Sequence, residues 1–88
     1  MLRLTQRRDC ECTVTLVLEG RIVAQWVALL ERESAALLAE YEKVRLDLAN
    51  VTYVDDGGRE AMQRLRSQVE ITNCPPLIRQ LLDMEGPA

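Results

Sequence analysis

The sequence contains no histidine and no phenylalanine, and only one tryptophan and two tyrosines. The missing histidine removes the commonest general base, the Ser-His and Cys-His nucleophile pairs, and the commonest zinc ligand. The missing phenylalanine means that the core must be aliphatic, built from Leu, Val, Ile and Ala. No apolar run approaches the roughly 20 residues that a membrane-spanning helix needs. The start, Met1-Leu2-Arg3-Leu4, has no apolar segment behind it of the kind that marks a signal peptide. Cysteine is scarce and odd in number: Cys10, Cys12 and Cys74. These features together lead to the expectation of a cytosolic chain with reduced thiols rather than a disulfide scaffold. Cys10-x-Cys12 would set two thiols on one side of a strand, with Cys74 elsewhere. That spacing matches no metal knuckle, so the three thiols are expected to be buried or chemically indifferent, and no cofactor is expected.

What remains is a chain of 88 residues with a net charge of −3. That length allows one domain, residues 1–88, able to bury roughly 60–70% of its unfolded surface without metal or disulfide staples. Charges of both signs are interspersed. The one basic cluster, Arg3, Arg7 and Arg8, is followed at once by Asp9 and Glu11, which reads as a solvated strand and turn. Nucleic-acid binding would need a basic stripe, and there is none.

The apolar period changes several times along the chain, as it does in alternating α/β folds. Thr13 to Glu19 alternates, with Val14, Leu16 and Leu18 on one face and Thr13, Thr15 and Val17 on the other. A weaker strand over Leu2 to Thr5 can pair with it, and Gly20 is expected to end it. From Ala24 to Tyr41 the residues Val23, Trp26, Val27, Leu30, Ser34, Leu37, Leu38 and Tyr41 recur at helical steps. Trp26 lies on that stripe and is expected to pack rather than to stack on a ligand. Val44 to Leu48 alternates again and reads as a central strand. Asn50 is expected to begin a turn, after which Val51 to Val54 carries the chain to Asp55. Beyond Gly57-Gly58 the period over Arg59 to Val69 is helical, followed by a short strand over Val69 to Asn73. Pro75-Pro76 opens a last helix with Leu77, Ile78, Leu81 and Leu82 as its apolar face. This helix is expected to end near Met84, before Gly86-Pro87. The order is β-β-α-β-α-β-α, and the predicted fold is a small mixed sheet of about four strands flanked by about three helices.

One stretch carries more than pattern. Val44-Arg45-Leu46-Asp47-Leu48-Ala49-Asn50-Val51, then Tyr53-Val54-Asp55-x-x-Gly58 and a helix, resembles the STAS domain family. That family includes bacterial anti-sigma-factor antagonists and the cytoplasmic domains of sulfate transporters. The resemblance covers roughly residues 12 to 84, and implies a non-enzymatic protein-interaction module. In the antagonist branch the motif is Asp-Ser-Ser/Thr-Gly followed by an apolar residue, and its second hydroxyl is phosphorylated by a kinase that doubles as the anti-sigma factor. Here Asp55 and Gly58 match the motif. Asp56 stands at the first Ser, Gly57 at the phosphorylated position, and Arg59 at the apolar one. The phosphosite equivalent, Gly57, has no hydroxyl to modify. Thr52, just before the turn, is expected to bond locally rather than to serve as a substitute phosphosite.

Each residue of this turn has a plain physical reading. Asp56 is expected to cap the following helix by accepting backbone N–H groups. The sharper alternative is a fixed charge that imitates a phosphorylated state. Gly57-Gly58 suits a tight turn, and a glycine turn at a helix start could also cradle an anion or nucleotide. Asp55 and Asp56 as an acid–base or metal pair would need adjacent side chains to converge, which they rarely do. The expected partner-binding surface is therefore Asp55, Asp56, Gly57 and Gly58 with Arg59, Glu60, Gln63 and Arg64. The partner that the resemblance implies is an anti-sigma-factor kinase, or a larger complex that uses such a domain as a structural subunit, for example a bacterial lipid transporter.

Overall fold

The computed structural model describes residues 2–82. The chain runs through β1 (Leu2–Cys10), β2 (Thr13–Ile22), α1 (Ala24–Glu40), β3 (Lys43–Val54), α2 (Asp56–Leu65), β4 (Glu70–Thr72) and α3 (Pro76–Leu81). The four strands form one sheet in the order β1-β2-β3-β4. β1 is antiparallel to β2, while β2, β3 and β4 run parallel. The order β-β-α-β-α-β-α and the mixed sheet are those expected from the alternating period.

One aliphatic core fills the space between sheet and helices. Val14, Leu16 and Leu18 of β2 meet Val44, Leu46 and Leu48 of β3, with Leu30 and Leu37 of α1, Met62 and Leu65 of α2, and Ile78 of α3 in the same cluster. Trp26 is half-buried against that cluster, as a packing residue would be. α1 and α2 also touch each other as well as β3. None of the described helices is long and apolar enough to cross a membrane.

Four expectations need correction. The first strand does not stop at Thr5 but continues to Cys10. Its second half is polar and charged because it is an edge strand, where charge protects the unpaired backbone. Gly20 does not end the second strand. It holds φ at 104°, a conformation that costs glycine little, and β2 continues through Arg21 to Ile22. Asn50 begins no turn. β3 is one strand of 12 residues, with register shifts against β2 between Val17 and Glu19 and between Gly20 and Arg21. At each shift β3 uses one residue more than β2, which is a β-bulge. The buried positions Val44, Leu46, Leu48, Val51 and Val54 therefore change from steps of two to steps of three while staying on the core side. The Asp47 carboxylate accepts the Ala49 N–H at 3.0 Å and the Asn73 side-chain amide at 3.2 Å, which satisfies polar groups at the first bulge. Finally, α2 starts at Asp56 rather than Arg59 and ends at Leu65. Val69 lies beyond it and is buried, and β4 keeps only Glu70–Thr72.

α3 begins at Pro76, after Pro75 as its cap. Ile78 and Leu82, four residues apart, are buried, and Leu81 is half-buried. Leu77 does not join them: it is 60% exposed, because it sits about 100° around the helix from Ile78. The expected end near Met84 and the stop at Gly86-Pro87 lie outside the described residues.

The sheet face away from the aliphatic core is polar and cross-linked. Arg45 of β3 reaches Asp9 of β1 at 3.9 Å and Glu70 of β4 at 3.5 Å. Lys43 pairs with Glu70 at 3.0 Å, and the buried Thr15 donates to Asp9 at 2.5 Å. Arg7 also reaches Asp9, at 3.3 Å. The ion pairs are solvent-accessible, so each adds little, but they join β1, β3 and β4, and the Thr15 hydrogen bond adds β2 across that face.

Candidate functional site

β2 and β3 are parallel neighbours, so their carboxyl ends lie side by side, and each feeds a helix. The two helix starts therefore meet at one corner, and Asp55 joins them. One carboxylate oxygen, Oδ1, accepts the Gly58 N–H at 2.7 Å, capping α2. The other, Oδ2, accepts the Ala24 N–H at 3.0 Å, at the start of α1. The Asp55 N–H in turn donates to the Ile22 carbonyl at 3.1 Å. α1 has no side-chain cap of its own from Val23, so the Asp55 carboxylate supplies from 31 residues away what its own flank lacks. These donors, first Gly58 and then Ala24, hold the Asp55 carboxyl below its ordinary range.

The cap is thus Asp55 and not Asp56, which corrects the expectation from the sequence. The start of α2 lies three residues earlier than the period suggested, and this moves the capping position back by one. Asp56 occupies the first helical turn, with its side chain 95% exposed and Arg59 at 3.9 Å. An acid there is favoured by the positive end of the helix dipole. The two aspartates point apart, one into the corner and one to solvent. No cluster of three or more metal-ligating side chains occurs among the described residues.

The two glycines are required by close approach. A Cβ on Gly58 would lie 2.1 Å from the Ile22 carbonyl oxygen, inside any permitted contact. A Cβ on Gly57 would lie 2.8 Å from the Ala24 Cβ and 3.2 Å from its Cα. The start of α2 is therefore pressed against the end of β2 and the start of α1. Position 57 lacks a hydroxyl, and the neighbouring helix has also closed over the space that a larger residue would take.

The remaining candidates are displayed on α2. Glu60 and Gln63 are exposed, and with Asp56 they make an outward stripe at positions 56, 60 and 63. Arg59 is half-buried, and its Nε has no hydrogen-bond partner. Arg64 forms a two-pronged pair with Glu31 of α1, at 3.2 and 3.3 Å, which clamps the helices together. The Thr52 hydroxyl donates to the Gly20 carbonyl at 3.1 Å, a partner on the neighbouring strand. One contact escaped the sequence reading: Arg21 stacks its guanidinium 5.3 Å from the Tyr53 ring centre, beside the corner. Their strands pair Arg21 with Tyr53, a register set by the second bulge, and nothing in the sequence marks that bulge.

The sequence matches no family model and no curated protein. Solved structures do resemble it. SpoIIAA, an anti-sigma factor antagonist, is similar in its unphosphorylated form, with a TM-score of 0.68 and 13% identity over 93% of this chain and 83% of that chain. The antisigma-factor antagonist STAS domain from Rhodobacter sphaeroides has a TM-score of 0.62 and 16% identity, over 82% of this chain and 86% of that chain.

The fold is that of a STAS domain.

The phosphorylated form of Bacillus SpoIIAA has a TM-score of 0.65 at 14% identity over 96% of this chain and 84% of that chain. A third protein, Mglu, has a TM-score of 0.67 at 27% identity over 84% of this chain but only 20% of its own. The matched part is thus about one fifth of a much longer chain there. In this STAS-like fold the corner between β2, β3, α1 and α2 is built as described above, with Asp55 at its centre.

Proposed function

We propose that the chain is a non-enzymatic regulatory module that docks onto a protein partner and does so without phosphorylation at its α2 corner. The observation that carries this reading is Gly57. It has no hydroxyl, and a Cβ placed on it would lie 2.8 Å from the Ala24 Cβ. The docking surface is Asp56, Glu60 and Gln63, with Arg59 and the edge of Arg64, on the outward side of α2. The resemblance to anti-sigma-factor antagonists supports a partner of the anti-sigma-factor kinase class, and through it a role in transcription in the bacterial cytoplasm. Asp55 is committed to holding two helix starts, so it serves the surface by shaping it. The same commitment weighs against an anion or nucleotide site, because the N–H groups such a ligand would need already face a carboxylate.

Docking by this surface is tested by affinity purification from the native cell with wild-type bait and with bait carrying Glu60→Lys and Gln63→Glu. The expected result is a partner enriched by the first and lost from the second, with both baits equally folded by circular dichroism. Retention of every partner by the altered bait would overturn the assignment of the surface. The missing hydroxyl at position 57 also supports a second reading, a structural STAS subunit of a larger assembly such as a lipid transporter. Under that reading the partner co-purifies in fixed stoichiometry, and ATP does not change the yield.

A further inference from the structure

The odd cysteine count resolves into a pair and a single. β1 and β2 meet in a two-residue turn, Glu11-Cys12, with Cys10 paired to Thr13 across it. Neither thiol is buried; both are exposed. In a straight strand, Cα atoms two residues apart are about 6.7 Å apart, near the outer limit for a disulfide. The turn at Glu11 draws the two Cα atoms closer than that, within the span a disulfide bridges. The two thiols are close enough for each to set the other's ionisation. The Thr13 hydroxyl first, then the Cys12 backbone and thiol, hold the Cys10 thiol below its ordinary value. The Cys12 thiol is raised, first by its hydrogen bond with Cys10 and then by the charge Cys10 can carry. Cys74 is different: it is half-buried, burial raises its thiol, and its Sγ rests 3.7 Å from the Pro75 carbonyl.

We propose that Cys10 and Cys12 form a reversible dithiol–disulfide couple that exchanges with small disulfides in solution. Cys10 loses its proton to solvent, and its thiolate attacks one sulfur of a low-molecular-weight disulfide. The sulfur–sulfur bond breaks, and the first small thiolate leaves with the electron pair and takes up a proton. Cys12 then loses its proton and attacks Cys10 Sγ, the mixed disulfide breaks, and the second small thiolate leaves and is protonated. The protein gives up two electrons and two protons, and one small disulfide becomes two thiols. The roles follow from the pair: the more acidic thiol begins, and its neighbour resolves. The turn that carries the couple is fastened to the rest of the molecule by the Lys43 N–H, which donates to the Cys12 carbonyl at 3.0 Å. Oxidation therefore reshapes the end of the sheet opposite Asp55, where β3 begins. The couple is independent of the docking surface on α2.

The test uses the full reduced chain at neutral pH with oxidised glutathione, read by intact mass and peptide mapping. The expected product has lost two hydrogen atoms, carries no lasting adduct, and maps to a Cys10–Cys12 link. Cys12→Ser is expected to hold a stable mixed disulfide at Cys10. Cys10→Ser is expected to react at Cys12 at least about threefold more slowly than Cys12→Ser reacts at Cys10. Cys74→Ser is expected to behave as the wild type. Lasting adducts on both thiols without an internal link, a product joined through Cys74, or equal rates in the two single variants would each overturn the proposal.

Discussion

The two ends of the sheet are built on opposite principles. At the end where β2 and β3 finish, backbone presses on backbone: Gly58 lies against the Ile22 carbonyl, and Asp55 holds the starts of both long helices. At the other end, the β1–β2 hairpin stands in solvent with both thiols exposed. Beside it is a shallow hollow of about 310 Å³, lined by Arg8, Glu11, Glu40 and Tyr41. The first end tolerates almost no added atom, and the second tolerates chemistry. The proposed docking on α2 would use a surface whose shape is set by the rigid corner. The proposed exchange at the hairpin would need side chains that a reagent can reach. The difference follows from connectivity. The parallel ends must each turn sharply into a helix, so their backbones crowd, whereas a hairpin turn has nothing beyond it.

That contrast can be broken or sharpened by substitution, and the largest effect is expected at Gly58. Gly58→Ala places a Cβ on the Ile22 carbonyl and is expected to destabilise the fold by about 3 kcal/mol or more, measured by urea unfolding. A loss near zero would mean that the corner is looser than its distances. Gly57→Ser comes next, with an expected loss of about 1–3 kcal/mol from overpacking against Ala24. Ala24→Gly added to it removes the opposing Cβ and is expected to restore part of the loss. If the double variant is no better than the single, Ala24 is not what closes that space. The restored variant also decides whether a hydroxyl at 57 becomes a kinase substrate once it has room.

Asp55→Asn tests the double cap through pH. The folded carboxyl titrates below its ordinary 3.8, so its contribution is fully present above that pH and is lost as pH falls through the folded value. The wild type is therefore expected to melt higher than Asp55→Asn near neutrality, by about 5 °C. The gap should stay level down to about pH 4 and shrink below it. Asp9 and Glu70, also held low by their partners, titrate in both proteins and cancel from the difference. A gap that widens in acid would show that Asp55 is not the group stabilised.

The smallest expected effect has the opposite sign and lies between the two ends, in the middle of α1. Ser34 is fully buried on the apolar stripe, and its hydroxyl has no hydrogen-bond partner. Ser34→Ala removes an unsatisfied polar group and is expected to stabilise by about 1 kcal/mol in urea unfolding. A loss instead would mean that the hydroxyl has a partner.

Much of the architecture was legible because it is periodic. Val14, Leu16 and Leu18 alternate, and Leu30, Ser34 and Leu37 recur at helical steps, so a strand and a helix follow from local geometry. The errors fall where the period breaks for a tertiary reason. Asn50 looked like a turn because bulges opposite β2 move the buried residues from every second to every third position. The glycines looked like a turn because Gly is rare inside helices, yet here they open α2, where a neighbouring backbone leaves no room for a side chain. At the candidate surface the sequence placed the cap one residue late, since the cap is defined by where the helix starts.

By itself the sequence determined the order of the elements, the aliphatic core and the absence of a hydroxyl at position 57, because each is a property of residue type or local period. Tertiary structure alone decided that Asp55 serves two helices and that Gly57 and Gly58 are closed in by Ala24 and Ile22. It also decided that Arg21 stacks on Tyr53 and that the hairpin turn leaves Cys10 and Cys12 exposed to solvent. The first three relations join residues about 30 or more positions apart, and the last depends on where a turn falls. Such approaches are set by sheet register and by the packing of helices on it, which local preferences do not encode.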